Sequence, residues 1–241
     1  MNKLNQKNPW IEYWSTDHIW SHSAFWRKQM EVFIRLTSNI MDYSETDTIL
    51  DFGCGSGHFA EIMSHRIGSI VCADMSENYI QLCANKFANV SNVNVVEVKP
   101  DLSDLYKVGT AFNKVICFSV VHYFPDIDCV TRFLKGIQNI IVPGGKLLIG
   151  DIGNNKRSLN DYIKAVLFTL RQGMFLDALR LMTKVTLSDP DYSKIKQGGN
   201  SYLHIPDSYF MDISRELGIE ITFLSSQLTV NSNYKHVLVE Y

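Results

Sequence analysis

From residue 48 onward, short apolar and β-branched runs alternate with longer amphipathic runs. This alternation is typical of βαβ units, in which each helix returns the chain to a parallel sheet. Predicted strands cover residues 48–52, 69–73, 93–98, 114–119, 146–150, 219–224 and 236–240. Predicted helices cover residues 58–67, 77–88, 127–140 and 207–217. The pattern therefore predicts an α/β domain built on a doubly wound sheet.

Polar and flexible residues mark the ends of these helices. Ser76 and Asp207 stand where a side-chain oxygen can accept hydrogen bonds from the first turn of a helix. Gly218 and the run Pro143-Gly144-Gly145 stand where helices are expected to stop before the next strand.

Two segments fall outside the alternation. Residues 1–47 are predicted to be helical and hold all four tryptophans of the chain, and residues 153–205 combine an amphipathic stretch with a polar loop. Segments that follow the carboxyl ends of strands in a doubly wound domain lie over the ligand crevice. We therefore predict an N-terminal lid (1–47) and a helical cap (153–205) around a core of residues 48–152 and 206–241.

Composition and charge narrow the partners. The 241 residues are 46% hydrophobic, enough for one large core, and the formal net charge is −2 without a long run of either sign. We expect no nucleic-acid partner, because no basic surface is indicated. The N-terminus is polar, and no segment has the apolar length of a membrane helix. The expectation is a cytoplasmic monomer or homodimer without membrane contact.

No metal or redox centre is predicted. The five cysteines form no CxxC pair and mostly lie in apolar runs, as expected of reduced, buried residues. Asp126, Asp128 and Asp151 could converge on a hard cation, but their spacing fits such a site poorly.

The stretch ILDFGCGSGHFA, residues 49–60, runs from a predicted strand through three glycines at alternate positions into a predicted helix. Such loops present backbone N–H groups to small charged ligands. No lysine follows Gly57, which excludes a phosphate-binding P-loop. His58 stands where a dinucleotide fingerprint counted from Gly53 needs its third glycine, so that ligand is disfavoured but remains open.

Charge favours a different ligand. Asp51 precedes Gly53 at the strand tip, where a carboxylate would repel a pyrophosphate and attract a cation. S-adenosylmethionine carries an ammonium and a sulfonium group and no phosphate. A side chain at Gly53 or Gly55, on either side of Cys54, would fill the space that the amino-acid part of this cofactor needs.

Acids after the next two strands extend the prediction. Asp74 could accept hydrogen bonds from both ribose hydroxyls, with Met75 against the adenine. Asp101 could accept from the adenine amino group and the backbone of Leu102 could meet the ring edge, although Asp is also common in turns.

At this point the sequence resembles the class I S-adenosylmethionine-dependent methyltransferases over about residues 48–150. The motifs that carry the resemblance are, in order, LDFGCGSGHFA, ADMS, PDLSDL, FNKVICFSVVHYFPD and VPGGKLLIGD. Asn113 departs from the family, in which many members have Asp, and we expect it to affect strand packing. The resemblance implies S-adenosyl-L-methionine as the cofactor and a Rossmann-like, seven-stranded sheet whose last strand is antiparallel.

Candidate residues for the reaction follow from this resemblance. Ser119 ends the fourth strand, where the cofactor's methyl group should emerge, and is predicted to contact the cofactor. Candidate catalytic residues are His122, His18 and His204. Candidate substrate contacts are Tyr13, Trp14, His22, Tyr123 and Tyr202, although the aromatic residues could equally belong to the core.

The predicted enzyme is a methyltransferase that acts on oxygen or nitrogen of a small biosynthetic intermediate. A hydroxyl nucleophile would need a base, whereas an amine or carboxylate would need only correct orientation. A nucleic-acid or protein methyltransferase and a dinucleotide-dependent oxidoreductase are the alternatives. SVVHYF stands where nucleic-acid methyltransferases have [DNS]PP[YFW], which disfavours that alternative.

Overall fold

The structure, a computed structural model, describes residues 9–16, 23–154, 156, 158–188 and 202–241, with the backbone alone at residues 11 and 184–188. The candidates His18 and His22 lie outside the described residues. No helix in these ranges is long and apolar enough to cross a membrane.

Seven strands form one sheet in the order β3-β2-β1-β4-β5-β7-β6. They are β1 (Thr48–Phe52), β2 (Ser69–Asp74), β3 (Val93–Glu97), β4 (Phe112–Phe118), β5 (Ile141–Ile152), β6 (Glu220–Phe223) and β7 (Lys235–Glu240). Strands β1 to β5 pair in parallel, and β7 runs antiparallel to β5 and β6. The predicted doubly wound sheet with an antiparallel last strand is confirmed. Strand order reverses between β1 and β4, the switch point at which such sheets bind ligands.

The helices are α1 (Pro9–Trp14), α2 (Ala24–Met41), α3 (His58–Met63), α4 (Glu77–Lys86), α5 (Ile127–Gln138), α6 (Leu159–Arg171), α7 (Phe175–Ser188) and α8 (Asp207–Leu217). Short 3₁₀ turns cover Leu105–Val108 and Val121–Tyr123. Helices α1 and α2 thus precede the sheet, and α6 and α7 form the segment between β5 and α8.

Both faces of the sheet are covered. On one face, Phe133 of α5 and Phe210 of α8 are fully buried against the strands. On the other face, Phe33 of α2 and Phe59 of α3 are equally buried. Because the central strands are buried on both faces, each is a continuous apolar run instead of an alternating one.

The predicted helix ends are confirmed in part. Ser76 caps α4 by accepting from Tyr79 N, and Gly218 ends α8 in the left-handed conformation. The prediction for Asp207 is wrong, because Pro206 occupies the cap position and the Asp207 carboxylate pairs with Lys235 instead. The run 143–145 does not end a helix before a strand but lies inside β5, which is longer than predicted.

Candidate active site

The glycine loop after β1 is held against the end of β2. Gly53 N and Cys54 N both donate to the carbonyl of Ala73, at 2.7 and 3.1 Å. A Cβ atom on Gly53 would lie 2.2 Å from Val120 Cγ2, whereas a Cβ atom on Gly55 would meet no atom within 4 Å. The prediction that Gly53 leaves room for a cofactor is therefore corrected, because Val120 of the protein fills that space. The open space lies at Gly55.

Asp51 is a buried carboxylate at the carboxyl end of the central strand β1. Its Oδ2 atom has no hydrogen-bond partner. Burial, and secondarily the charge of Asp74, raises the pKa of Asp51 to about 8. A buried carboxylate without a partner is costly, and a cationic ligand would stabilise its charged form.

Asp74 is held rigidly at the end of β2. Its Oδ2 accepts from Gly55 N and its Oδ1 accepts from Ser76 N, both at 2.9 Å. Burial raises its pKa, although the backbone hydrogen bonds act in the opposite direction. The carboxylate thus links the glycine loop to the start of α4.

A cavity of about 720 Å³ opens over the carboxyl edge of the sheet. Asp51, Asp74 and Asp151 contribute carboxylates to its lining, and no lysine or arginine is among the described residues that line it. Most of the remaining wall is apolar or aromatic. The cavity therefore favours ligands that are neutral or positively charged.

An aromatic cluster forms one wall of this cavity. Its members are Trp10 and Trp14 of α1, Tyr123 after β4, Tyr202, and Tyr234 before β7. The ring centroids of Trp10 and Tyr123 are 5.0 Å apart, and those of Trp14 and Tyr123 are 5.6 Å apart. The Ser76 hydroxyl donates to the carbonyl of Trp14 at 2.7 Å, which fixes the end of α1 beside Asp74.

His122 is buried at the base of the aromatic cluster. Its ring lies 4.1 Å from that of Tyr123 and 4.4 Å from that of Tyr202, between centroids. Its Nδ1 atom accepts from Gly153 N at 3.1 Å, so the hydrogen of the neutral imidazole is on Nε2. A ring in this state donates through Nε2 and has no nitrogen left to take a proton. This geometry favours a hydrogen-bond donor over a general base, and the catalytic role of His122 stays a prediction.

Asp151, directly after the last parallel pairing of β5, is a buried acid on the cavity wall. Its Oδ1 accepts from the Thr229 hydroxyl at 2.6 Å and more weakly from Asn231 Nδ2 at 3.4 Å. Its backbone N–H donates to His236 Nδ1, and burial lowers the pKa of that histidine to about 4. His236 is therefore neutral and holds the backbone that presents Asp151.

Three residues near this edge of the sheet have left-handed backbones although they are not glycines. The φ angles are 63° at Leu102, 60° at Ser119 and 59° at Asp151. Strained backbone of this kind is frequent at functional sites. The strain occurs here at two residues whose side chains line the cavity, Ser119 and Asp151.

Most predicted site residues come together in this cavity. Those that line it are Asp51, Gly53, Cys54, Gly55, Asp74, Met75, Ser119, Trp14, His122, Tyr123 and Tyr202. Their elements are distant in sequence, but all of them end at the same edge of the sheet.

Four predicted residues do not line it. Asp101 is exposed and accepts from Ser103 N at 3.0 Å, so it forms a turn, and Pro100 lines the cavity instead. Leu102 belongs to the hydrophobic core, and Tyr13 lies behind Trp10 and Trp14. His204 is exposed outside the cavity, which removes the support for a catalytic role.

The cavity wall also contains residues that were not among the predicted substrate or cofactor contacts: Trp10, Asp151, Asn231 and Tyr234. Asp151 follows the predicted fifth strand, so the rule that ligands bind at carboxyl ends would have found it. Asn231 and Tyr234 precede an antiparallel strand, whose amino end lies at this same edge. Recognising them requires the direction of β7.

Among the described residues, no group of three or more His, Cys, Asp or Glu side chains could hold a metal ion. Asp126 is occupied as the cap of α5, where it accepts from Cys129 N at 2.8 Å. All five cysteines are buried and form no disulfide.

Comparison with known proteins gives matches to the core. Residues 49–145 match the family model of a methyltransferase domain. The ubiquinone biosynthesis O-methyltransferase of Mesorhizobium japonicum is 31% identical over 123 residues, which are 51% of this chain and 48% of that protein. Chondramide synthase cmdD of Chondromyces crocatus is 27% identical over 130 residues, which are 52% of this chain and 3% of the synthase. This chain thus spans about half the length of the first relative.

A solved structure matches nearly the whole chain. The N-methyltransferase NodS of Bradyrhizobium japonicum, in complex with S-adenosyl-L-homocysteine, superposes with a TM-score of 0.57 at 12% identity, over 97% of this chain and 96% of that one. At this level of identity the likeness establishes the fold.

Proposed function

We propose that this chain, whose residues 49–145 match a methyltransferase domain, is a class I S-adenosylmethionine-dependent methyltransferase that methylates an oxygen or nitrogen atom of a small, largely apolar molecule. Asp51 is the observation that carries the proposal. Its partnerless buried carboxylate fits the cationic amino-acid end of S-adenosylmethionine and would repel a phosphate.

The residues that would hold the cofactor are those of the first two strand ends. Asp51 would pair with the ammonium group, the open space at Gly55 would admit the amino-acid part, and Asp74 would accept from the ribose hydroxyls. When bound, S-adenosylmethionine supplies an electrophilic methyl group on a good leaving group. The protein then has to orient the acceptor and exclude water.

Charge limits the acceptor. Asp74 and Asp151 line the cavity in addition to Asp51, and no described lysine or arginine does, so an acceptor with its own phosphate or carboxylate would find no cationic side chain there. The aromatic cluster offers flat apolar surfaces to a planar or hydrocarbon body. A neutral or cationic amphiphile is the acceptor class that these residues favour.

His122 and Asp151 are the polar groups placed to orient such an acceptor. His122 would donate from Nε2 to an acceptor oxygen, and Asp151 would receive a hydrogen bond from an acceptor hydroxyl or amine. A neutral amine nucleophile needs no base before the transfer. For a hydroxyl nucleophile, Asp151 is the group able to take a proton.

Residues 1–47 would act as the lid and residues 153–205 as the cap. The hydrogen bond from Ser76 to Trp14 supports the first role, because it joins α1 to the loop beside the ribose-binding acid. The apolar residues of α6 and α7 that line the cavity support the second. The relative named as a ubiquinone biosynthesis O-methyltransferase favours a small-molecule acceptor over nucleic acid or protein.

Calorimetric titration with S-adenosylmethionine and S-adenosylhomocysteine tests the cofactor. We expect Asp74→Ala to weaken binding by about 10- to 100-fold, through the loss of hydrogen bonds to a charged group. Asp101→Ala removes an aspartate side chain outside the cavity and should bind like the wild type. Undiminished binding by Asp74→Ala would overturn the assignment, and binding of NAD alone would favour the oxidoreductase.

Transfer of a labelled methyl group tests the acceptor class. Three aromatic probes of one shape, ending in an amine, an alcohol or a carboxylate, would be compared. The amine or the alcohol should be methylated and the carboxylate should not. Preferential methylation of the carboxylate would contradict the proposed acceptor class and leave the cofactor assignment intact.

A further inference from the structure

The two cap helices carry most of the exposed apolar surface of the described chain. Ten of the thirteen large apolar side chains that are exposed lie on α6 and α7, with between 38% and 78% of their surface accessible. On α6 they are Leu159, Tyr162, Ile163, Val166, Leu167 and Leu170. On α7 they are Phe175, Leu176, Leu179 and Met182. We call this surface the cap face. Contiguous apolar surface of this kind marks an interaction site.

Helical spacing makes the cap face continuous. Leu159, Ile163 and Leu167 are spaced four residues apart, and Leu170 follows three later, so they form one stripe along α6. Tyr162 and Val166 lie one step around the helix from this stripe and line the cavity, as do Phe175, Leu179 and Met182 of α7. The exposed stripe therefore continues into the mouth of the cavity.

The other faces of both helices are already used. Phe168 and Thr169 of α6 are buried, as are Met174 before α7 and Leu181 within it. Phe168, Met174 and Leu181 pack with Phe25 of α2. These contacts hold the hairpin on the body of the protein, while one half of the cap face is exposed outside the cavity: Leu159, Ile163, Leu167, Leu170 and Leu176.

The two helices that carry the cap face have more basic than acidic residues. Lys164 and Arg171 are exposed on α6, three and four positions from the members of the apolar stripe. The two helices hold four basic residues, Lys164, Arg171, Arg180 and Lys184, and two acids, of which Asp161 stays ionised near Lys164 and Asp177 lies 3.6 Å from Arg180. Their formal charge is thus +2, whereas that of the whole chain is −2.

We propose that the cap face binds the surface of a lipid bilayer that contains anionic lipids, with the cavity mouth turned toward it. Apolar side chains would enter the interface, and Lys164 and Arg171 would reach the headgroups, as in amphipathic helices that lie on membranes. Two copies of this chain joined by their cap faces would bring like basic edges together, which disfavours a dimer. This proposal departs from the expectation of no membrane contact. Docking would let an amphiphilic acceptor enter the cavity from the bilayer. Only this consequence of docking rests on the proposed function.

Vesicle flotation tests the docking. Wild-type protein should float with vesicles of phosphatidylcholine and phosphatidylglycerol and much less with phosphatidylcholine alone, and added salt should weaken this binding. The double variant Ile163→Asp with Leu167→Asp should bind at least about tenfold more weakly, because two apolar contacts are lost and charge is added.

Tyr106→Asp with Met211→Asp is the matched control. It places the same charge on two exposed apolar residues away from the cap face and should float like the wild type. Titration of every variant with S-adenosylhomocysteine reports on folding and on the proposed function independently of lipid. Two results would overturn the docking. In one, the wild-type protein does not float with the anionic vesicles; in the other, both double variants lose vesicle binding equally. Light scattering could instead show a wild-type dimer that becomes monomeric only in the cap-face variant. That result would assign this surface to a second copy of the chain and would also overturn the proposed membrane docking.

Discussion

His122 accepts a hydrogen bond through Nδ1 from the backbone N–H of Gly153, at 3.1 Å. The two residues belong to the ends of neighbouring strands, β4 and β5. The bond decides the chemistry of the ring, because an imidazole that accepts at Nδ1 donates at Nε2. His122 is thereby a fixed donor over the cavity.

Replacement of His122 separates its structural role, as acceptor for Gly153 N–H, from its proposed role as a donor to the methyl acceptor. His122→Asn keeps an acceptor for Gly153 N–H but lacks the Nε2 donor, so stability should change by about 1 kcal/mol or less while methyl transfer falls by about 10- to 100-fold. His122→Ala should lose about 2–4 kcal/mol of stability, because it leaves a void between two tyrosines and an unsatisfied N–H. Chemical denaturation measures the change in stability, and the rate of methyl transfer to a probe molecule measures the change in activity.

The pH profile of the same reaction is the control. If His122 is a donor only, the shape of the profile is the same in the wild type and in His122→Asn. The disappearance of an acidic limb in the variant would identify His122 as a base and refute the tautomer.

Asp51→Asn should stabilise the cofactor-free protein. The pKa of Asp51 is about 8 in the folded chain and 3.8 for an ordinary aspartate, so between these pH values the folded state holds a proton that the unfolded state has released. Stability from this group is present at acidic pH and is lost as pH rises toward the folded pKa. The variant should gain roughly 2 kcal/mol near pH 8, or about 4–8 °C in Tm, and little at acidic pH. A lower Tm for the variant near pH 8 would contradict this.

Cofactor affinity should depend on the same proton. Below its pKa of about 8, Asp51 must lose a proton before it can pair with a cation. Affinity for S-adenosylmethionine should therefore rise by up to about tenfold per pH unit on approaching that pKa and then level off. Calorimetry in buffers of different ionisation enthalpy should detect about one released proton per binding event. Asp51→Asn should bind weakly at every pH, and a flat wild-type profile would refute the prediction.

Gly53 and Gly55 should respond differently to alanine. Gly53→Ala places a Cβ atom 2.2 Å from Val120 Cγ2 and should cost about 2–4 kcal/mol of stability from overpacking and backbone strain. Gly55→Ala meets open space, so its stability cost should be about 1–2 kcal/mol, from the left-handed backbone alone, while cofactor affinity falls steeply.

Val120→Ala in the Gly53→Ala background provides the control, since it removes the clashing methyl groups and should recover part of the stability. Equal stability losses for the two glycine variants, with cofactor affinity unchanged in Gly55→Ala, would refute the assignment of open space.

The sequence predicted those parts of the site that depend on one strand end at a time. Asp51, Gly55 and Asp74 follow apolar runs, and the parallel sheet brings such ends together. Asp101 was misplaced because a local hydrogen bond to Ser103 N decided its direction, and no periodicity reports that bond.

The site features that could not be predicted depend on contacts between residues far apart in the sequence. The contact of Asp151 with Thr229 spans 78 positions and requires the antiparallel direction of β7. The state of His122 is set by a backbone group 31 residues away. The apolar cap helices were visible as amphipathic segments, but only the packing of Phe168 and Leu181 reveals which of their apolar faces stays exposed.

The left-handed backbones of Ser119 and Asp151 have a consequence for how this protein would change under selection. Glycine at either position would relieve strain of about 1–2 kcal/mol. Laboratory evolution guided by heat resistance alone would drift toward glycine at Ser119, whereas the hydrogen bond from Thr229 would retain the acid at Asp151. Selection for turnover would preserve both side chains at lower thermal tolerance. Sequencing the two populations would thus identify the positions at which thermal stability and catalytic activity favour different residues.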